Sequence, residues 1–89
     1  MIIEFDKSFL KSLETLNNKS LLPKIENIIE VAETSSSISE LQNVKKLSGY
    51  KTYYRLRIGD YRLGFEKINE STIRFILVSH RKDIYKKFP

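Results

Sequence analysis

The sequence predicts an α+β fold: an N-terminal strand, a two-helix hairpin, a three- to four-stranded antiparallel sheet with both helices on one face, and a short C-terminal helix. Apolar residues recur at helical spacing in the first half of the chain, whereas apolar and polar residues alternate in the second half. The 89 residues, of which 40% are hydrophobic, are enough for one modest core and too few for two. We therefore expect a single domain over residues 1–89.

The first half of the chain predicts a strand followed by two helices. Residues 1–5 are apolar and include two β-branched isoleucines, which is typical of a strand. Asp6 can cap a first helix, and a second helix begins near Ser20, with Pro23 tolerated in its first turn. The apolar stripes of the two helices are expected in the core: Phe9, Leu10, Leu13, Leu16, Ile25, Ile28, Ile29 and Ala32.

The second half of the chain predicts an antiparallel meander. Residues 53–58 and 61–68 alternate and are separated by a tight turn at Gly59-Asp60, and a second turn at 69–71 precedes a third segment. Both helices should cover one face of this sheet and leave the other face open. The predicted elements are a turn of helix at 38–41, strands at 44–47, 53–58, 61–68 and 72–79, and a terminal helix at 82–88.

The register of the first hairpin carries a prediction about chemistry, because side chains alternate between the faces of a sheet. A two-residue turn puts Arg57 opposite Arg62, and Arg55 opposite Gly64, which leaves space above the backbone. Arginines directly opposite each other destabilise a sheet, but their planar donor forks suit phosphate oxygens. We therefore favour contact with phosphate or RNA over a merely solvated face. The opposite face is expected in the core: Tyr54, Leu56, Ile58, Tyr61, Leu63 and Phe65.

The second hairpin extends the same reasoning. A three-residue turn at 69–71 would put Glu66 opposite Arg74, most simply as an ion pair, and Arg62 opposite Val78. His80, two residues beyond Val78, would then lie on the arginine side of the sheet. It is the only histidine and the only side chain that titrates near neutrality without help, although a lone histidine is more often structural.

Charge is distributed unevenly along the chain. Residues 1–44 carry four lysines against seven acidic residues, a net charge of −3, whereas residues 45–89 carry twelve basic residues against four acidic ones, a net charge of +8; together they give the overall +5. Such a basic half is typical either of a polyanion-binding surface or of a solvated basic surface.

Several classes of site and location are disfavoured by what the sequence lacks. There is no cysteine and only one histidine, so we expect no disulfide, no metal site and no cofactor. The first residues have no basic region typical of a signal peptide, and the apolar runs are too short for a membrane span. We therefore expect a cytoplasmic protein without membrane contacts.

Three segments together resemble the RelE/ParE toxin superfamily, and most closely its RelE branch. They are KKLSGY at 45–50, YRLRIGDYR at 54–62 and HRKDIY at 80–85, and the resemblance covers essentially the whole chain. It implies the toxin of a type II toxin–antitoxin module, an endoribonuclease that enters the ribosomal A site and cleaves mRNA there. It also implies a small, acidic, helical antitoxin as the cognate partner.

The resemblance further implies the residues that act on the scissile phosphate. Arg62 and Arg81 match the two arginines that bear on this phosphate, and Tyr85 matches the C-terminal catalytic tyrosine. Because a free tyrosine titrates near about 10, we expect Arg62 and Arg81 to help it act as a base. His80 departs from the usual basic residue at its position and is the alternative group for moving the proton.

A second set of residues is predicted to bind RNA. Arg55 and Arg57 match the basic pair that contacts the RNA backbone in RelE-like proteins, and we expect them to lie farther from the C-terminal pair. Lys51 and Lys82 are added as further RNA-binding candidates.

The implied chemistry needs no metal, because RNA supplies its own nucleophile, the 2′-hydroxyl. Attack on the adjacent phosphate requires alignment, stabilisation of negative charge and proton transfer, and leaves a 2′,3′-cyclic phosphate and a 5′-hydroxyl. Two alternatives remain: a ParE-like protein that poisons DNA gyrase through protein contacts, or a catalytically inactive RNA-binding homologue. Only the endoribonuclease interpretation predicts cleaved message.

Overall fold

A computed structural model describes residues 1–89 as a five-stranded sheet with three α-helices and one 3₁₀ turn. The predicted α+β class is confirmed, with element bounds within two residues of the prediction. In chain order the elements are β1 (Ile2–Phe5), α1 (Lys7–Leu16), α2 (Leu21–Thr34), the 3₁₀ turn (Ile38–Glu40), β2 (Val44–Lys46), β3 (Tyr53–Ile58), β4 (Tyr61–Asn69), β5 (Thr72–His80) and α3 (Ile84–Lys87). No helix is long and apolar enough to cross a membrane.

The helix boundaries follow local signals. The carboxylate of Asp6 accepts a hydrogen bond from the backbone N–H of Ser8, which satisfies one of the free donors at the start of α1. Asn17 adopts the left-handed conformation that ends this helix. Pro23 lies in the first turn of α2, where its missing N–H costs no helical hydrogen bond.

The strands are ordered β1-β5-β4-β3-β2 across the sheet. Strands β2 to β5 form the predicted antiparallel part, and β1 adds a fifth strand that pairs in parallel with β5. Beyond the end of β1, helix α1 covers the edge of β5 that β1 leaves unpaired. The Ser12 hydroxyl accepts a hydrogen bond from the Val78 N–H at 3.1 Å, and the Ser8 hydroxyl donates one to the Ile76 carbonyl.

The main core lies between the sheet and the helices α1 and α2. The predicted inward face of the first hairpin is confirmed, since Leu63 and Phe65 are fully buried. Leu10 was expected in this core but is 53% exposed, because it lies on the outer side of α1. The buried cluster comprises Phe9, Leu21, Ile25, Ala32, Leu56, Ile58, Leu63, Phe65, Ile73, Phe75 and Val78.

The opposite face of the sheet was expected to be open, and this was wrong in part. Helix α3 folds back over it and forms a second, smaller core from Leu47, Ile84 and Phe88. The space above Gly64 is filled, because a Cβ at this position would lie 2.6 Å from the nearest ring carbon of Phe88. A cleft on this face, lined by side chains of β2, β3 and β4, stays accessible.

The second hairpin shows why a register cannot always be extrapolated. Glu66 lies opposite Arg74 as predicted, but Gly64 pairs with Leu77 and Phe65 with Phe75, so Ile76 is an extra residue in β5. Such a β-bulge reverses the alternation beyond it.

Two predictions from this hairpin were therefore wrong. Arg62 lies opposite Ser79 rather than Val78, because the bulge shifts the pairing by one residue. Arg74 forms its ion pair with Glu4 on the neighbouring β1, at 2.9 Å, and not with Glu66, because β1 places Glu4 directly beside it.

A candidate nucleic-acid interface on the arginine face

Three neighbouring strands bring four basic side chains onto one surface, which we call the arginine face: Lys45, Arg55, Arg57 and Arg62. In β2, β3 and β4, Lys45 lies opposite Arg55, and Arg57 lies opposite Arg62 as predicted. Together with Asn43, Val44 and Tyr85, these side chains line a cleft of about 330 Å³. The geometry thus collects cations that are separated along the chain into one concave site.

Lys45 is part of this site, although it was not among the predicted RNA-binding residues. Strand β2 is only three residues long, so alternation gives little indication of which side chain faces which way. The pairing of β2 with β3 is the signal that would have found it, since that pairing sets Lys45 beside Arg55.

The charges on the arginine face are not neutralised by acidic side chains. The three ion pairs of the protein, Lys67–Glu70, Arg74–Glu4 and Arg81–Asp60, all lie elsewhere. Arg57 reaches only the amide oxygen of Asn43, at 3.5 Å, and Arg62 donates to the backbone carbonyls of Gly59 and Tyr61, at 2.8 and 2.9 Å. A cleft lined by cations of one sign concentrates a positive field and attracts anions.

Tyr85 extends into solvent above this face and is 73% exposed. The guanidinium carbon of Arg55 lies 4.5 Å from the centre of its ring, within the range of a cation–π contact. Hydrogen bonding from Arg55, followed by the charge of Arg55, lowers the pKa of the Tyr85 hydroxyl below its usual value, with smaller contributions from Arg62 and Lys45. A hydroxyl with a lowered pKa gives up its proton more readily.

The assignment of helpers to Tyr85 is therefore corrected. Arg62 and Arg81 were expected to assist this tyrosine, with Arg55 farther away. Arg55 is instead the principal partner, because its pairing opposite Gly64 places it next to helix α3. Arg62 makes a smaller contribution, and the charge of Arg81 is not among the causes of the shift.

Arg81 lies beside the turn between β3 and β4. Its backbone N–H donates to the carbonyl of Asp60 at 2.8 Å, which continues the pairing of β4 with β5 by one residue. Its guanidinium is 3.9 Å from the Asp60 carboxylate, and both side chains are more than half exposed. Such an exposed pair is weak, so the guanidinium is free to turn toward another anion.

His80 does not lie on the arginine side, and that prediction was wrong. The bulge at Ile76 puts it opposite Tyr61, on the side covered by the helices, where the two rings meet edge-on at 5.7 Å. Its Nδ1 accepts a hydrogen bond from the backbone N–H of Lys82 at 3.2 Å. His80 therefore holds the turn that leads from β5 into α3.

The other two predicted RNA-binding residues lie outside the cleft. Lys51 is exposed in the connection between β2 and β3, and Lys82 is exposed in the turn before α3. No group of three or more His, Cys, Asp or Glu side chains is placed to hold a metal ion.

Known proteins resemble this chain over nearly its whole length. A family model described as the ParE toxin of the type II toxin–antitoxin system parDE matches residues 3–85. Toxin RelE3 of Methanocaldococcus jannaschii is 42% identical over 90 residues, which cover 100% of both chains. Putative toxin RelE1 of the same organism is 33% identical over 85 residues, covering 94% of this chain and 93% of that protein.

Solved structures show the same fold. The toxin in the RelB–RelE antitoxin–toxin complex of Methanococcus jannaschii superposes with a TM-score of 0.80 at 41% identity, covering 97% of this chain and 99% of that one. A chain of the archaeal RelE–RelB complex of Pyrococcus horikoshii superposes with a TM-score of 0.70 at 24% identity, covering 90% and 93%. The present chain belongs to the RelE/ParE superfamily and is a RelE-like toxin of a type II toxin–antitoxin module.

Proposed function

We propose that this toxin is an endoribonuclease that cleaves mRNA in the ribosomal A site, by metal-independent attack of the RNA's own 2′-hydroxyl. The observation that carries the proposal is the set of unpaired cations beneath an exposed tyrosine whose pKa is lowered. The proposal includes a cytoplasmic location, where the toxin would meet ribosomes and message.

The cleft between β2, β3 and β4 would bind the RNA backbone. Lys45 and Arg57 line it without a carboxylate partner, and an arginine fork matches two phosphate oxygens at once. Binding by these residues would depend strongly on salt, because each phosphate contact releases counterions. Lys51 and Lys82 are exposed farther along the chain and are proposed to contact RNA outside the cleft.

Arg62 and Arg81 are proposed to stabilise the negative charge that builds up on the phosphate in the transition state. Arg62 donates from one terminal nitrogen to backbone carbonyls, which leaves the rest of its fork available. Arg81 has only a weak partner in Asp60. Electrostatic stabilisation of the charge that develops in the transition state is the largest single contribution to the rate in many enzymes.

Tyr85 is proposed to take the proton from the 2′-hydroxyl. The ionised Tyr85 oxygen takes this proton as the O–H bond breaks and the 2′-oxygen forms a bond to phosphorus. The bond from phosphorus to the 5′-oxygen breaks, and the 5′-oxygen takes up a proton from water, which gives a 2′,3′-cyclic phosphate and a 5′-hydroxyl. Arg55 would favour the ionised tyrosine and so join the catalytic group, in addition to any role in RNA binding. His80, whose Nδ1 accepts from the Lys82 N–H in the turn before α3, is proposed to orient the backbone there.

A cognate antitoxin is the proposed protein partner, because similar toxins were solved in complexes with RelB. An acidic antitoxin would neutralise the arginine face or displace the segment 82–88, which is attached to the sheet mainly through Ile84 and Phe88. Either mode would keep RNA from the complete site formed by the arginine face and Tyr85.

Cleavage in a translating extract tests the proposal. Wild-type toxin should produce new message ends within the codon in the A site, carrying the cyclic phosphate and the 5′-hydroxyl. Arg62→Ala and Tyr85→Phe should produce these ends at least about 100-fold more slowly. Lys7→Ala, which removes an exposed cation at the start of α1, should cleave like wild type. Intact message with active wild-type ribosomes would contradict the proposal.

Inhibition of DNA gyrase is the second candidate function, because the matching family model is that of a ParE toxin. A supercoiling assay with purified gyrase separates the two. Loss of supercoiling without message cleavage would favour the ParE-like function, and the absence of both effects would favour an inactive RNA-binding homologue.

A further inference from the structure

Helix α3 is too short to be stable by itself, so its position depends on docking. It has four residues, and isolated helices of this length do not form in water. Ile84 is fully buried and Phe88, directly after the helix, is 5% exposed, whereas Tyr85 between them is 73% exposed. Two buried anchors therefore determine where the one exposed ring lies.

The anchor Phe88 rests directly on Gly64. A Cβ on Gly64 would lie 2.6 to 2.7 Å from three carbons of the Phe88 ring, closer than real Cβ atoms come to other atoms. The backbone of Gly64 does not have a positive φ, so conformation does not require glycine here. The requirement is space: any side chain at position 64 would occupy the seat of Phe88.

This seat adjoins the centre of the arginine face. Gly64 lies directly opposite Arg55 in the β3–β4 register, and the ring of Phe88 packs edge-on against Tyr53, two residues before Arg55 on the same strand. Tyr85 precedes Phe88 by about one helical turn and contacts that same arginine. The seat and the tyrosine–arginine contact are thus joined by three residues of chain.

We propose that Gly64 is a positioning residue, whose missing side chain forms the seat for Phe88 and thereby sets where the Tyr85 ring meets Arg55. Gly64 touches neither RNA nor the reacting atoms in this account. Its effect on cleavage rests on the proposed function, but its effect on the Tyr85–Arg55 contact does not and can be measured on the free toxin.

The first experiment follows the titration of Tyr85 by NMR with ring-labelled tyrosine, assigned with Tyr85→Phe. Gly64→Ala should undock Phe88 and raise the pKa of Tyr85 toward its ordinary value of about 10. Phe88→Ala, which leaves β4 unaltered, should raise it similarly. In the double variant the Gly64 change should add nothing further, because its target is gone.

The control is Ile73→Val, which leaves a small cavity in the main core on the other side of the sheet. This substitution should lower the melting temperature and leave the Tyr85 titration unchanged. An unchanged Tyr85 pKa in a folded Gly64→Ala protein would overturn the proposal. So would full additivity of the two substitutions, because Gly64 would then act by some route other than Phe88.

The second experiment measures message cleavage and RNA affinity separately. Gly64→Ala should reduce the cleavage rate by about 100-fold, the scale of a small misplacement of a reacting group, with RNA affinity nearly unchanged because Lys45, Arg57 and Arg62 stay in place. If wild type cleaves nothing while Gly64→Ala still shifts the Tyr85 titration, the proposed function fails and the seat stands. Wild-type cleavage by Gly64→Ala would overturn the positioning role.

Discussion

On the helix-covered face of the sheet, eleven buried residues form a continuous core, whereas on the arginine face only three buried residues hold a short helix in place. The first face contains no charged residue in its buried cluster, and the second places Arg57 opposite Arg62 at a cost to the sheet. The two faces of one sheet thus meet different requirements, stability and anion binding. Stability is concentrated where the helices pack, and uncompensated charge is concentrated where a polyanion can reach it.

The first prediction concerns this difference in burial. Leu63→Ala, on the helix-covered face, should lower the free energy of unfolding by about 2–5 kcal/mol, because it leaves a cavity in a core that cannot collapse. Phe88→Ala should cost clearly less in urea unfolding, because α3 can detach while the sheet stays folded. Equal losses would mean that the two cores unfold as one cooperative unit.

The second prediction concerns the charge on the arginine face. Arg62→Ala should reduce message cleavage by about 100- to 1,000-fold, the effect of removing one donor that stabilises transition-state charge, without lowering the melting temperature. Single-turnover cleavage with excess toxin measures the chemical step. Near-normal cleavage by a folded Arg62→Ala protein would remove this arginine from the mechanism.

The two hairpins of the sheet also differ in how well the sequence predicts their register. The register of the first hairpin was predictable because Gly59-Asp60 is a clear two-residue turn and the flanking residues alternate. The bulge at Ile76 was not, because Phe75, Ile76, Leu77 and Val78 form a uniformly apolar run with no alternation to reveal an extra residue. His80 was consequently assigned to the wrong face.

Two features of the site depend on contacts between distant segments, which local patterns do not record. The space above Gly64 was predicted to be open, since nothing in the neighbouring sequence indicates that Phe88, 24 positions later, fills it. The role of Arg55 beside Tyr85 likewise depends on where α3 docks. The parallel pairing of β1 with β5 is a third contact of this kind.

The third prediction separates the two candidate proton carriers, which lie on different faces. Tyr85→Phe should reduce cleavage by about 100-fold, because the ring keeps its contact with Arg55 and loses only the hydroxyl. His80→Gln should cost much less, since His80 contacts Tyr61 and the turn at Lys82.

The pH dependence gives the sign of the Tyr85 effect. Because Arg55 lowers the pKa of Tyr85, the cleavage rate should rise with pH through that lowered pKa, and Arg55→Ala should move the rising limb to higher pH. A pH–rate profile that loses its rising limb in His80→Gln, and keeps it in Tyr85→Phe, would exchange the two roles.

The fourth prediction tests whether the cleft binds phosphates. The double variant Lys45→Ala, Arg57→Ala should weaken RNA binding and flatten its salt dependence by roughly one unit of slope for each phosphate that the variant no longer neutralises. The matched control removes two exposed lysines from α1, Lys7→Ala and Lys11→Ala, and should leave the slope unchanged. An unchanged slope in the cleft variant would show that RNA binds elsewhere.

The smallest effect expected is a gain in stability. Arg57→Thr removes one of two arginines that face each other and introduces a residue that favours strands, so the free energy of unfolding should increase by about 0.2–1 kcal/mol. The matched control is Arg74→Thr, on β5, which breaks the ion pair with Glu4 and should not stabilise the protein. In an Arg62→Ala background the gain from Arg57→Thr should shrink, because the repulsion is already absent. If Arg57→Thr instead destabilises the toxin, Arg57 contributes to the fold, and the claim that this face gives up stability for charge is wrong.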